Sequence, residues 1–382
     1  MDHDIVIVGA GPAGLSTGLH LAKLAPELAR RTLILERDQH PRPKLCAGGI
    51  MPGGEAWLRK LGLDLSEVPS VRIGEAHFLF QGRGFVVRRA PYVFRVVRRD
   101  GFDAWLADIA RARGLALQEN TPVRRVRRLE HAVEVQTDRG TYRARAVVGA
   151  DGATGVVRRA VVRRKQRVPQ ISRLLEILTP TDVQTLTPRN PREGGALLDF
   201  SCLAHGVQGY AWDFPTQVQG RSMRTRGVFD SRVHPQAPRA SLEASLQESL
   251  GPLSVPLDRH NLAGHPLRWL HPRSILAAPR VLLAGDAAGV DPLLGEGISF
   301  ALGYGEVAAR ELQDAFVRDD FSFERYRQRV LRHRIGRFLR RRAVAARLAY
   351  RVRDRRLLRF LWWRLGPLVG WLAEHLLVDW GE

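Results

Sequence analysis

Asp4-Ile5-Val6-Ile7-Val8-Gly9-Ala10-Gly11-Pro12-Ala13-Gly14 opens the chain with β-branched residues that stop at a glycine-rich turn. Ala13 to Leu24 then carries helix formers, and Thr32-Leu33-Ile34-Leu35-Glu36 supplies a second strand. Residues 4–36 therefore predict strand, tight turn, helix and parallel strand, joined by a right-handed crossover. Gly9, Gly11 and Gly14 stand at GxGxxG spacing. Gly9 makes the turn, Gly11 lets backbone approach a pyrophosphate, and Gly14 lets helix and strand pack closely, while the helix N-terminus stabilises negative charge. Glu36, 22 residues beyond Gly14, ends the second strand where it would accept hydrogen bonds from a ribose and repel a 2′-phosphate. The context predicts a dinucleotide site and does not separate FAD from NAD.

Further along, Phe102 to Arg113 reads as a helix, Val133 to Val135 and Thr141 to Arg145 as a hairpin, and Ala146 to Gly149 as another buried strand. From about Ile171 to Leu270 short strands alternate with Pro, Gly and Ser turns, the pattern of a largely antiparallel unit. Val281 to Ala284 returns to the buried-strand pattern and Gly297 to Leu312 to a helix, so distant pieces complete the first unit. The expected fold class is α/β, a Rossmann-type domain with an inserted, mainly antiparallel β substrate domain and a C-terminal helical tail. The expected boundaries are 1–72, 99–165 and 272–320 for the first domain, 73–98 and 166–271 for the second, and 321–382 for the tail.

The 382 residues are 45% hydrophobic and 26% charged, which suits two folded domains and excludes a disordered or collagen-like chain. A net charge of +21 draws anions: phosphates, acidic lipids or nucleic acid. Arg124, Arg125, Arg127, Arg128 and the run Arg158 to Arg167 contribute, and 17 arginines lie between Arg318 and Arg364. In that tail, Leu331, Ile335, Phe338 and Leu339, then Leu357, Leu361, Leu365, Leu368 and Leu372, recur at helical spacing. Two cysteines, Cys46 and Cys202, are too few for a disulfide framework or a CxxC metal cluster and fit a reducing compartment. Met1-Asp2-His3-Asp4 runs directly into the first strand, leaving no leader and pointing to the cytoplasm. Leu361 to Asp379 is broken by Arg364, Glu374, His375 and Asp379, so it is expected to lie on a bilayer rather than span the roughly 20 apolar residues' depth.

Val147-Val148-Gly149-Ala150-Asp151-Gly152-Ala153 and Val281-Leu282-Leu283-Ala284-Gly285-Asp286-Ala287-Ala288-Gly289 resemble the second and third signatures of the flavoprotein class related to p-hydroxybenzoate hydroxylase. Arg99, in Arg99-Asp100-Gly101-Phe102-Asp103-Ala104-Trp105-Leu106, matches the R-x-x-F-D-x-x-L pattern of that class. The resemblance implies FAD: Asp286 on the ribityl chain, Arg99 along the cofactor, and the helix opened by Gly297-Ile298 aimed at the pyrimidine ring. It also implies cofactor contacts from Gly9, Gly11, Ala13, Gly14, Glu36, Arg37, Cys46, Ala47, Gly49 and Val123. Pro43-Lys44-Leu45-Cys46-Ala47-Gly48-Gly49 resembles the P-x-K-x-C-G-G stretch of geranylgeranyl reductases, with Ala47 in place of their first Gly, and Tyr210-Ala211-Trp212-Asp213-Phe214-Pro215 resembles their YxWxFP motif.

That family implies saturation of isolated C=C bonds in a prenyl chain on a lipid or isoprenoid, by hydride from reduced flavin and a proton to the neighbouring carbon. Cys46 either donates that proton, a thiol being mostly protonated at neutral pH, or packs on the flavin. Tyr210, Trp212 and Phe214 either line the prenyl pocket or are ordinary inward strand residues. The basic tail, with Trp362, Trp363 and Trp371, has the charge and aromatics to dock on anionic headgroups. With no second GxGxxG, electrons would come from transiently bound NAD(P)H or a reduced ferredoxin-like protein. The alternatives are a hydroxylase or halogenase of the same class, although Tyr210 and Phe214 replace the first Trp and the Ile of the halogenase WxWxIP, and a nucleic-acid or membrane adaptor, for which RNA- and DNA-binding signatures are missing.

Overall fold

The computed structural model describes residues 2–162, 170–181, 195–251, 257 and 261–374. The part of the basic run that ends at Arg167, the side chain of Leu372, and His375 and Asp379 lie outside the described residues.

Elements are numbered along the chain. One sheet contains β1 (His3–Val8), β2 (Thr32–Leu35), β8 (Ala116–Gln118), β9 (Val123–Arg128), β10 (Val133–Thr137), β11 (Gly140–Gly149), β17 (Ala277–Ala278) and β18 (Val281–Leu283). Its path runs β17-β18-β11-β1-β2-β8, with β10 and β9 branching from β11. β1 is parallel to both β2 and β11, and Ile5, Val6 and Ile7 are wholly buried, as a central strand covered on both faces requires. Two expected strands merge here. Thr141 to Arg145 and Ala146 to Gly149 are one strand, β11, whose first half pairs antiparallel with β10 and whose second half pairs parallel with β1. β18 joins beside it, Val147 opposite Val281, across more than a hundred residues of sequence.

A second sheet takes the order β16-β12-β15-β14-β13-β5-β6. It comprises β5 (Glu75–Phe80), β6 (Arg83–Arg88), β12 (Ile171–Pro180), β13 (Ala196–Asp199), β14 (Gly209–Val218), β15 (Arg221–Asp230) and β16 (Ala263–Arg268). All its pairs are antiparallel except β13 with β5. Period-2 alternation sorts its faces: Ile177, Ala211 and Val228 pack under a helix, while Tyr210, Trp212, Phe214 and Phe229 turn the other way, toward the first sheet. A small third sheet joins β3 (Gly49–Ile50), β4 (Ser70–Ile73) and β7 (Phe94–Val97). β7, inside the stretch 73–98 expected for the substrate domain, thus pairs with neither large sheet.

The helices are α1 (Pro12–Leu24), α2 (Pro26–Arg30), α3 (Pro52–Lys60), α4 (Arg99–Ala112), α5 (Arg158–Val161), α6 (Leu242–Leu250), α7 (Ile298–Arg318), α8 (Tyr326–Arg332), α9 (Arg334–Ala349), α10 (Arg355–Trp363) and α11 (Gly366–Ala373). α6 is the helix that covers Ile177, Ala211 and Val228. α4 begins three residues before the expected start, which puts Arg99 in its first turn.

The tail is helical but not separate. Tyr326, Ile335 and Leu339 are buried, Tyr326 donates to the Leu283 carbonyl at 2.8 Å, and Arg342 of α9 is buried between Asp291 and Glu296 at 2.7 and 2.6 Å. The chain breaks between α10 and α11, so the leucines expected at helical spacing do not share one face: Leu357 and Leu368 are exposed and Leu361 and Leu365 half-buried, while Leu358 and Trp362 turn inward. Trp362, expected at a membrane interface, instead packs against Phe80, Phe85 and Phe200.

Candidate active site

Between the two large sheets lies one cavity of about 750 Å³. Gly9, Gly11, Ala13, Glu36, Arg37, Cys46, Ala47, Gly49, Arg99, Val123, Asp286, Gly297 and Ile298 line it, and so do Tyr210, Trp212 and Phe214. Gly14 does not. A Cβ on Gly14 would fall 1.9 Å from the Gly9 carbonyl oxygen, so its work is the contact between helix and turn rather than a wall.

α1 starts at Pro12 with Gly11 as N-cap and no side chain capping it, which leaves its first amide groups pointing outward. A Cβ on Gly11 would meet nothing closer than the Arg42 and Arg99 guanidiniums, at 3.7 and 3.8 Å. The turn thus opens onto space flanked by two cations and bare amides, the arrangement an anionic pyrophosphate requires. Glu36, just past β2, accepts from the Ala10 amide at 2.7 Å and from the Asp38 amide at 3.2 Å, which fixes its carboxylate beside the turn. Arg37 is exposed at the rim and pairs with Asp38 at 3.0 Å.

Arg99 is buried. Its guanidinium makes two parallel 2.8 Å bonds to Asp103, one helical turn on, and Arg42 adds a third cationic contact to Asp103 at 3.2 Å. Burial works against the charge, but Asp103 more than offsets it and holds Arg99 firmly protonated. This explains the F-D of the motif: the Asp is the anchor that aims the Arg. Asp286 faces the same space; burial raises its carboxyl above the usual range against the opposing charges of Lys44, Arg99 and Arg268. α7 begins at Ile298 behind Gly297 without a side-chain cap, so the positive end of a 21-residue helix also meets the cavity.

The sequence reading did not assign a role to Asp151, Lys44 or His265, all of which line the cavity. Asp151 lines the cavity, accepts from the Val157 amide at 2.9 Å and keeps its other oxygen without a partner among the described residues; burial lifts it to about 6. Lys44 donates to His265 of β16 at 3.2 Å, joining the cysteine loop to the second sheet; burial, then Lys44 and Arg99, lower His265 to about 4, so the ring is a neutral acceptor. Cys46 lies half-buried on the wall, its sulfur accepting from the Gly48 amide at 3.4 Å; burial pushes the thiol up although Arg99 favours the thiolate. The opposite wall is apolar. Phe214 meets Phe94 edge-on at 5.3 Å, Tyr210 packs on Phe200 at 5.2 Å, and the Tyr210 hydroxyl is tied to the Leu294 carbonyl at 2.6 Å.

Two uncapped helix ends, a GxGxxG turn backed by an acidic residue, and an anchored arginine define a flavin-type dinucleotide-binding oxidoreductase fold. Bare amides, paired guanidiniums and the partnerless Asp151 oxygen all fit FAD. The chain belongs to the FAD binding domain family, whose model matches residues 2–303. It is 26% identical over 348 residues to digeranylgeranylglycerophospholipid reductase 3 of Methanosphaera stadtmanae, covering 85% of this chain and 81% of that protein. It is 29% identical over 356 residues to digeranylgeranylglycerophospholipid reductase 2 of Methanopyrus kandleri, covering 86% and 82%. Among solved structures, a geranylgeranyl bacteriochlorophyll reductase-like protein of Thermoplasma acidophilum aligns with a TM-score of 0.76 at 22% identity, over 99% of this chain and 93% of its own. The halogenase PltM aligns with a TM-score of 0.72 at 17% identity, over 98% and 84%. The protein is an FAD-dependent oxidoreductase.

Proposed function

We propose that the protein saturates C=C bonds of a geranylgeranyl-type prenyl chain carried on a lipid or isoprenoid. One observation carries this reading: a single cavity has the flavin motifs and Cys46 on one wall and an aromatic, apolar wall of Tyr210, Trp212, Phe214 and Phe94 on the other. The names of the two archaeal relatives support it. Gly11, Glu36, Arg99 and Asp286 would hold FAD, which when bound and reduced supplies the hydride.

The chain's own residues do the remainder. An isolated alkene offers no carbonyl to hold developing charge, so the walls must orient it and exclude water while a proton arrives. The apolar face of the second sheet does the first. Cys46 does the second: its S–H proton goes to one alkene carbon as hydride reaches the other, the π bond becomes two C–H bonds, and the thiolate regains a proton from solvent. Burial keeps that thiol protonated at neutral pH. Tyr210, Trp212 and Phe214 hold the chain. Electrons come from transiently bound NAD(P)H or a reduced ferredoxin-like protein.

The protein works in the cytoplasm on the inner membrane face. Among the described residues no helix is long and apolar enough to cross a membrane, whereas Leu357, Phe360, Trp363, Leu368 and Trp371 are exposed beside the exposed Arg351, Arg353, Arg355 and Arg356. The test is anaerobic incubation of the dithionite-reduced, FAD-loaded enzyme with lipid extract, read by mass spectrometry. Gains of about 2 Da per bond on a prenyl lipid are expected. No gain without oxygen, with an aromatic compound modified when oxygen is admitted, would overturn the reading.

A further inference from the structure

The arginine-rich tail buries one of its arginines behind the cavity wall, where neither lipid nor solvent reaches it. Arg342 of α9 is wholly buried. One of its nitrogens, Nη1, donates to the Asp291 carboxylate at 2.7 Å and to the Glu296 carboxylate at 2.6 Å, and its guanidinium carbon lies 5.2 Å from the centre of the Phe300 ring. All three partners belong to the lead-in to α7 or to its first turn. Leu294, Gly295, Glu296 and Gly297 of that lead-in line the cavity, and so does Ile298, where α7 starts. Asp291 folds the segment on itself, accepting from the amides of Leu293 at 2.8 Å and Leu294 at 3.1 Å. The carbonyls of the same two residues are held from outside: Tyr350, just beyond α9, donates to that of Leu293, and Tyr210 of β14 to that of Leu294 at 2.6 Å. The lead-in to α7 is thus clamped between the tail and the second sheet.

Two buried carboxylates on one short loop repel unless a cation lies between them, and apolar contacts would hold a loop at a smaller cost in desolvation. What the buried charges add is a fixed geometry. We propose that Arg342 is a positioning residue of the flavin site: by bridging Asp291 and Glu296 it fixes the loop so that the positive end of α7 faces the cofactor, which favours the more anionic, reduced flavin. The tail thereby completes the redox site. The proposal rests on FAD in the cavity and on no prenyl substrate.

The test is an anaerobic dithionite titration of the full-length, FAD-loaded protein beside a reference dye, which reads the midpoint potential of the bound flavin. R342M keeps the reach of the side chain and removes its charge and donors; the potential is expected to fall by about 30 mV or more, a tenfold loss of preference for reduced over oxidised flavin in a two-electron couple. R342M combined with E296Q has the net charge of the parent cluster without the clamp, so the fall should persist; a return to the parent potential would show an effect of charge alone and overturn the proposal. R342K, which keeps the cation, should recover most of the fall. Y350F, which removes only the hydroxyl on Leu293, should lower the potential by less. An unchanged potential in R342M at full flavin absorbance would also overturn the proposal, and should the Arg342 variants fail to fold, an unchanged potential in Y350F does so. Because no lipid enters the titration, either result leaves the reductase reading standing, and failure of the lipid assay leaves the effect of Arg342 on the flavin standing.

Discussion

Gly11 and Gly14 carry the same letter in one motif and have opposite surroundings. Gly11→Ala has room for its methyl and keeps an extended backbone at φ −87°, so the variant is expected to fold; the methyl then occupies the anion cradle between Arg42 and Arg99. FAD affinity should fall at least about tenfold by fluorescence titration, roughly 1.4 kcal/mol, with the apo melting temperature little changed. Gly14→Ala drives a carbon to 1.9 Å from the Gly9 oxygen and should lower the apo melting temperature itself. Equal effects of the two on stability would refute the distinction. Burial lifts the Glu176 carboxyl of β12 to about 7, with a consequence for stability. Its folded value near 7 exceeds the ordinary 4.5, so the folded state binds the extra proton between those values and stability is lost as pH rises through that window. Glu176→Gln lacks that loss. Relative to the parent it should gain up to about 3 kcal/mol between pH 4.5 and 8, read from denaturant midpoints at the two pH values. The glycines and Arg99 were legible because their roles are set by neighbours within a turn or two. His265 was not, because it meets the cysteine loop, at Lys44, across more than two hundred residues of sequence.

Helix ends and strand faces show the same division. α1 was legible from its glycines and α7 as the helix that follows the Val281 to Ala284 strand, but the lack of any side-chain cap on either, which leaves amides for a ligand, emerged only with the cavity. On β14 the period-2 pattern predicted one inward face and left open what it faced; the second sheet turns it to the cavity because α6 covers the other side. α10 and α11 depart furthest from their sequence pattern. Their leucines at helical spacing and their tryptophans suggested a face for a bilayer, yet the break at Arg364 and the ring cluster on β5 and β6 draw Trp362 inward instead. Trp362→Ala should therefore cost about 2–4 kcal/mol of folding stability, measured by denaturant unfolding. Phe360→Ser with Leu368→Ser, both exposed, should leave the melting temperature nearly unchanged and weaken sedimentation with anionic vesicles by about tenfold or more. Vesicle binding that survives both these changes and high salt would remove the docking role from α10 and α11.

The two large sheets close on one cavity, so cofactor and fold are thermodynamically linked: a ligand that binds only the folded state stabilises it. Saturating FAD at about 100 times its dissociation constant should add about 2.7 kcal/mol, seen as a melting temperature several degrees above that of the stripped protein and recovered on adding FAD back. Arg99→Ala should abolish the increment, since it removes the buried cation aimed at the cofactor space and leaves Asp103 with Arg42 as its one remaining cationic partner among the described residues. Identical melting of stripped and loaded protein would show that the cavity contributes nothing to cofactor retention.

Much of this architecture was written locally. A run of β-branched residues ending in GxGxxG can form only a buried strand entering a tight turn and helix, since backbone sterics and hydrophobic period act over a few residues. The same is true of the flavin signatures, the cysteine loop and the aromatic strand, all of which were readable along the chain. Their convergence was not. Whether Tyr210, Trp212 and Phe214 line the same cavity as Cys46, whether Arg342 is a surface charge or the buried partner of Asp291 and Glu296, and which face of α10 is covered depend on how the sheets and helices pack. Packing is decided by close contact between side chains far apart in sequence, and neither periodicity nor spacing records who meets whom.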